Sequence, residues 1–250
     1  MIPSVFAGGQ VLSLLLVLMR CTGFVVAAPL FGHRGLPAPV KAALAVGLAV
    51  ALAPAAAIAP GASPALLAAP LELLIGLTFG FLLSLGFHAI EVAGRLISLQ
   101  LGLSLEAVLS PTSDGSSTAL DPFFAVLAGT VYLALNLHAE AVRVLGHSFE
   151  AFPIGGSWPI DLWLLVGRVA VMAIDLGTRI ALPVTLVLLL VELFVGIVAR
   201  AIPQINVFIL GLPAKLLIGL GAIALASPTL AAGAGQILRT VFNAVETVRS

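Results

Sequence analysis

Between Lys41 and Glu72 the chain runs for thirty residues without a charged side chain. Comparable uncharged runs cover Ile2–Met19, Leu73–Ile90, Pro122–Ala139 and Leu216–Leu238, and a more charged apolar run occupies Leu162–Ala199. A bilayer core takes about 20 apolar residues per helix, so these runs predict five or six hydrophobic helical segments. Helices satisfy their own backbone in lipid and open sheets do not, which makes the expected fold an all-α, polytopic integral membrane protein. Pro54, Pro60, Pro64 and Pro70 divide the Lys41–Glu72 run into a helix, a proline-rich turn and the start of the next helix. Composition agrees: 61% of the 250 residues are hydrophobic and 9% charged, with a mean hydropathy of +1.22. Soluble domains carry about 25% charged residues.

The formal net charge is zero, so no electrostatic footprint for nucleic acid exists. Cys21 is the single cysteine, which excludes an intrachain disulfide. Arg20 stands where a lipoprotein processing site would need a small residue, and Ile2–Met19 reads as a retained hydrophobic helix. His33, His88, His138 and His147 show no His-Glu-x-x-His or comparable metal spacing. Nucleophile-elbow and phosphate-loop motifs are absent as well. The sequence therefore predicts neither an enzyme nor a cofactor site.

One stretch breaks the apolar pattern: Arg200-Ala-Ile-Pro-Gln-Ile-Asn-Val-Phe-Ile-Leu-Gly-Leu-Pro-Ala-Lys215. Pro203 and Pro213 each remove a backbone donor and clash with the preceding turn, which predicts a break or kink at both. Gln204 and Asn206 have amides that partner freed backbone groups. Two readings follow, a polar turn between spanning helices and a functional break beside a conduit.

Charges inside apolar segments are costly and face protein or water. Arg168, Asp175 and Arg179 fall at i, i+7 and i+11 on one helix face, with Asp175 and Arg179 an i,i+4 pair. Glu91 and Arg95 have the same spacing in the favoured order. Glu72 and Glu192 have no local partner, so their counter-charges come from elsewhere in the fold or from another subunit, with proton carriage as a third reading. Small residues recur in Gly76-x-x-x-Gly80-x-x-x-Ser84 and Gly94-x-x-x-Ser98-x-x-x-Gly102. Each stripe suits close packing, within the chain or against a partner. The one long polar interruption in mid-chain is Ser110-Pro111-Thr112-Ser113-Asp114-Gly115-Ser116-Ser117-Thr118-Ala119, whose composition favours turns.

Pro203-Gln204-x-Asn206-Val207-Phe208 followed by Gly211-x-Pro213-x-Lys215 resembles the signature of the FliR family of the flagellar type III export gate. Arg20, Ala28-Pro29-Leu30 and Pro37 resemble the family's opening pattern, and Gly94-x-x-Ile97-x-x-Gln100-x-Gly102 resembles its central one. Asn136-x-His138, Ser148-Phe149 and Pro153 follow in the family's order, so the likeness covers nearly the whole chain. This resemblance implies a single FliR-like membrane domain over residues 1–250, with residues 1–167 like a FliP subunit and 168–250 like a FliQ subunit. It implies FliP-like, FliQ-like and FlhB-like partners, unfolded flagellar proteins as cargo, and residence in the bacterial inner membrane at the flagellar basal body. It further implies a plug role for the 110–119 loop, and helical hairpins that pack on partner subunits as well as lipid. The virulence secretion counterpart is the rival within the family. A proton-coupled secondary transporter using Glu72, Asp175 or Glu192 is the rival from another class.

Overall fold

A computed structural model describes residues 8–32, 35–56, 65–103, 120–156, 161–201 and 207–246. Among these residues seven α-helices follow one another: α1 Gly8–Ala27, α2 Ala38–Leu52, α3 Ala65–Leu101, α4 Asp121–Ala134, α5 Leu137–Ala151, α6 Asp161–Ala201 and α7 Val207–Glu246. Among the described residues there is no β-strand. Among the described residues three helices are long and apolar enough to cross a membrane, or four if α4 and α5 count as one span, and α1 and α2 are shorter apolar helices. The five or six hydrophobic segments expected from the sequence are thus present.

Helix boundaries follow from local chemistry. Pro37 and Pro39 stand at the start of α2, where a missing N–H costs nothing, and Asp121 and Pro122 do the same for α4. Beyond α2, Pro54 lies in a single 3₁₀ turn, Ala53–Ala55. Gly102 ends α3 at φ 78; its N–H bonds the Leu99 carbonyl at 3.1 Å and the Leu103 N–H bonds that of Ser98 at 3.2 Å. That is a Schellman cap, which needs a residue at ease in the left-handed region. Asn136, between α4 and α5, takes φ 55. Asparagine enters that region more readily than other side-chain-bearing residues, so the uncharged run Pro122–Ala139 is interrupted there.

The helices continue through charges and prolines that bound or interrupt the apolar runs. α1 continues through Arg20 to Ala27, and α3 runs unbroken through the charged segment after Ile90 to Leu101. Of the break or kink expected at Pro213, the helix shows no break: Pro213 lies inside α7, as Pro183 does inside α6 and Pro228 inside α7. A proline removes one intrahelical bond, and a helix of about forty residues supported by packing continues through that loss.

The chain forms two compact units. The first holds α1, α2, α3 as far as Gly86, α5, the start of α6 to Met172, and α7 from Leu238. At its centre α1 crosses α3 at backbone contact. A Cβ on Gly76 would overlap the Arg20 carbonyl oxygen, one on Gly23 the Leu73 carbonyl oxygen, and one on Gly80 would lie 2.7 Å from that of Phe24. The Gly76–Gly80 stripe therefore packs within the chain. Phe24, Phe79, Leu82, Leu83, Leu145 and Phe149 fill the surrounding core. α5 joins it with Leu137, Ala141, Val144, Leu145, Ser148 and Phe149, the spacing of one helix face.

The second unit holds α3 from Phe87, α4, and the remainders of α6 and α7. Gly94 admits the Phe124 ring, and Phe87 packs on Tyr132 with ring centroids 5.2 Å apart. On the α6 side, a Cβ on Gly177 would overlap the Ala89 carbonyl oxygen. The outer faces of α6 and α7 are apolar and uncovered: Leu190, Phe194, Leu217 and Leu225 are 66%, 67%, 74% and 87% exposed.

Gly76→Ala should lower the thermal midpoint of the detergent-purified chain, a loss of about 1–3 kcal/mol from forced separation of α1 and α3. Gly47→Ala, whose new Cβ meets nothing within 4 Å, should leave the midpoint unchanged or raise it. Equal midpoints for the two variants, followed by circular dichroism on heating, would exclude the close crossing.

Candidate functional site

The one cluster of fully buried charge among the described residues lies where α1 crosses α3. Arg20 has no exposed surface and Glu72 is 2% exposed. Arg20 Nε donates to Glu72 Oε2 at 2.6 Å. Its Nη1 donates to the Ser148 carbonyl at 2.8 Å and its Nη2 to the Phe152 carbonyl at 2.9 Å. The guanidinium carbon sits 4.4 Å from the centroid of the Phe149 ring, a cation–π contact. Glu72 Oε1 accepts the Gly155 N–H at 2.9 Å, and Gly155 holds φ 77.

Each part has a local cause. Small residues at 23, 76 and 80 bring the helix axes together, so that the Arg20 stem need not reach far to meet Glu72. At the end of α5 the Ser148 carbonyl accepts the Phe152 N–H at 3.0 Å and takes Arg20 as a second donor, while the Phe152 carbonyl lies past the last turn, where no intrahelical donor follows. A cation belongs there, and the planar guanidinium answers two carbonyls and a carboxylate at once. Such a pair resists desolvation only when every donor and acceptor is matched. Here the matching ties α1, α3, α5 and the 152–155 segment together. The arrangement is a clamp, with no reactive group in it.

The predicted charges divide sharply. Glu72 has its partner inside the fold, 52 residues away in Arg20. Glu192 meets Lys215 at 3.3 Å, also within the chain, with Lys215 18% and Glu192 58% exposed. Asp175 and Arg179 form the expected i,i+4 bridge at 2.8 Å on an exposed surface. Glu91 is half-buried and Arg95 exposed, and no ion pair joins them. Arg168 is exposed too. Of the signature residues, Gly211, Pro213 and Lys215 lie in α7, and Phe208 is in its first turn. Pro203, Gln204 and Asn206, and the whole loop from Ser110 to Ala119, lie outside the described residues. No group of three His, Cys, Asp or Glu residues able to hold a metal occurs among the described residues.

Sequence reasoning missed Arg20 as the counter-charge of Glu72. The signal was present: an arginine in an apolar run with no local acid, and an acid in an apolar run with no local base. Spacing reveals partners on one helix and is silent about partners on two. The sequence marks Leu30 as part of the Ala28-Pro29-Leu30 pattern but gives no sign of its backbone, which takes φ 65 after Pro29. There the Phe31 N–H bonds the Pro29 carbonyl and the Gly32 N–H bonds that of Ala28, both at 2.8 Å. A leucine held in that region costs about 1–3 kcal/mol, which the two bonds and the Lys41 Nζ bond to the Gly32 carbonyl at 2.9 Å help offset.

The helix lengths, apolar outer faces and buried ion-pair clamp define a helical, polytopic membrane protein whose interior chemistry is architectural. The model of the family "Bacterial export proteins, family 1" matches residues 11–241. The chain belongs to this family. It is 29% identical over 238 residues to the flagellar biosynthetic protein FliR of Escherichia coli, covering 93% of this chain and 91% of that one. It is 31% identical over 211 residues to FliR of Bacillus subtilis, covering 81% of each. Likewise it is 31% identical over 222 residues to FliR of Caulobacter vibrioides, covering 86% of this chain and 88% of the relative.

Arg20→Met and Glu72→Leu should each destabilise the chain by about 3–5 kcal/mol, because each leaves a buried charge alone. The double variant should recover only part of the loss. Its charge imbalance is gone and the Ser148 carbonyl keeps the Phe152 N–H, yet the Phe152 carbonyl and the Gly155 amide remain unpartnered, each worth about 1–3 kcal/mol. A double-mutant cycle in denaturant checks this, and additive single losses would show that the two side chains are not coupled.

Proposed function

We propose that this chain is a structural gate subunit of the flagellar type III protein export apparatus, helping to build and close the conduit for unfolded flagellar proteins. The observation that carries the reading is the likeness to FliR from Escherichia coli, Bacillus subtilis and Caulobacter vibrioides across nearly the whole chain. Its role is to hold a shape, and energy for export comes from other components. The bacterial inner membrane is its site, as a multi-pass protein of the basal body. FliP-like and FliQ-like subunits surround it, an FlhB-like switch protein lies nearby, and residues 1–167 and 168–250 correspond to those two partner folds.

The surface of α6 supports partners. Large apolar side chains are exposed from Trp163, at 66%, to Ile197, at 60%. At about 1.5 Å per residue that interval spans about 50 Å, against about 30 Å of hydrocarbon. Helix tilts of up to about 40° do not reconcile the two. Apolar surface beyond the lipid is covered by protein, and neighbouring gate subunits are the available protein. The plug role of residues 110–119 rests on the family resemblance and on a composition free of large side chains.

Co-expression with the neighbouring export-gate genes, tag purification and native mass spectrometry test the reading directly. A stable complex with FliP-like and FliQ-like subunits is expected; a well-folded solitary protein overturns it. Deleting residues 112–119 should leave assembly intact and make cells leaky to small solutes, and unchanged ion permeability argues against the plug. Asn206→Leu should cost about 1–3 kcal/mol by leaving backbone freed at Pro203 unpartnered. Normal assembly and secretion by that variant would remove Asn206 from the role of backbone clamp.

A further inference from the structure

A cavity of about 370 Å³ opens between α6 and α7 in the second unit, walled by Leu176, Ile180, Pro183, Ala226 and Leu230, with Arg179, Thr229 and Gln236 at its rim. The volume falls within the range of small-molecule pockets, about 300–1,000 Å³. Its origin is legible in the packing. Gly233 touches Ile180 and Gly219 touches Leu188, so α7 takes fourteen residues to cover what α6 covers in eight. Pro228 lies inside α7 within that interval, and so does the cavity.

The rim is chemically asymmetric. Arg179 Nε is engaged with Asp175 Oδ2 at 2.8 Å. Both Nη nitrogens of Arg179 lack a protein partner, leaving a planar fork of donors free at the mouth of an apolar groove. Asp175 is 53% exposed beside it, so the mouth presents a cation and an anion together. Twenty residues also separate Arg179 from Arg200, an apolar stretch whose one charged residue is Glu192, which Lys215 pairs. Such a stretch matches the hydrocarbon thickness and sets Arg179 at the level of lipid headgroups.

We infer that this groove is a phospholipid site, taking a zwitterionic lipid whose phosphate meets the Arg179 fork, whose ammonium meets Asp175, and whose acyl chain lies along Ile180, Pro183, Ala226 and Leu230. Arginine suits the phosphate because its fork binds two oxygens at once. The Asp175 carboxylate favours a headgroup that also carries a positive charge over a purely anionic one.

The test uses the full chain purified in mild detergent and native mass spectrometry with added 1-palmitoyl-2-oleoyl-phosphatidylethanolamine. A one-to-one lipid adduct is expected, with none from inorganic phosphate. Arg179→Gln should weaken it about tenfold, the usual scale for losing a charge-assisted bond. Ala226→Phe should abolish it by filling the groove from its wall, and Asp175→Asn should shift the preference toward phosphatidylglycerol. Adducts of equal strength in the parent chain and in Arg179→Gln and Ala226→Phe would mean lipid bound elsewhere and overturn the site. Efficient cross-linking from Ala226→Cys to a FliP-like or FliQ-like subunit in the assembled complex would replace the lipid with a partner helix. Because lipid retention is read on the isolated chain, its failure leaves the gate assignment untouched, and failed co-assembly leaves the lipid result standing.

Discussion

The first unit depends on one buried ion pair, and the ion pair depends on the absence of side chains beside it. Arg20 and Glu72 are out of contact with water, so their attraction must outweigh a desolvation cost of several kcal/mol per ion. It does so through completeness: three directions of the guanidinium meet Glu72, Ser148 and Phe152, its face meets Phe149, and the second carboxylate oxygen meets Gly155. None of this geometry is available unless α1 and α3 touch at their backbones, and Gly23, Gly76 and Gly80 permit that contact. Packing and electrostatics are here one device.

The same logic explains why residues far apart in sequence appear together in the family resemblance. Arg20, Ser148, Phe149 and the segment around Pro153 span more than half the chain and meet in one place. Elsewhere the landmarks have backbone reasons of their own. Asn136 supplies a left-handed residue between α4 and α5, Gly94 makes room for the Phe124 ring, and Gly102 caps α3. Each residue type is required by shape, which is what a subunit that holds a conduit together needs.

The hydropathic runs made the helices legible, because a twenty-residue apolar stretch has few structures open to it in or near lipid. Ends set by chemistry were legible as well: the turn at Pro54 after α2 and the Asp-Pro start of α4. Continuity was harder to read. A charge such as Arg20 looks like a terminus until its partner is known, and that partner lies on another helix. Proline inside a segment also looks like a break, yet α6 and α7 run through theirs, since tertiary packing outweighs the loss of one backbone bond. The small-residue stripe at Gly76–Gly80 was visible as a packing surface, but its occupant, α1, was not.

Interior and exterior follow different rules in this chain. Of the apolar window of α3, 56% is buried within the chain, against 17% for those of α6 and α7. A helix that gives most of its apolar face to its own chain is a core element, whereas α6 and α7 leave theirs for other molecules. The apolar face of α6 is longer than a bilayer is thick, so no single surrounding covers it all. Lipid suits the interval between Arg179 and Arg200, whose charges end the apolar stretch on both sides. Protein suits the exposed Trp163, Leu164, Val171 and Ile174, which lie before Arg179 beside charges at Arg168 and Asp175. On the proposed lipid and subunit contacts, one continuous helix meets two surroundings, and the change between them falls at the Asp175–Arg179 bridge, a paired charge that either tolerates.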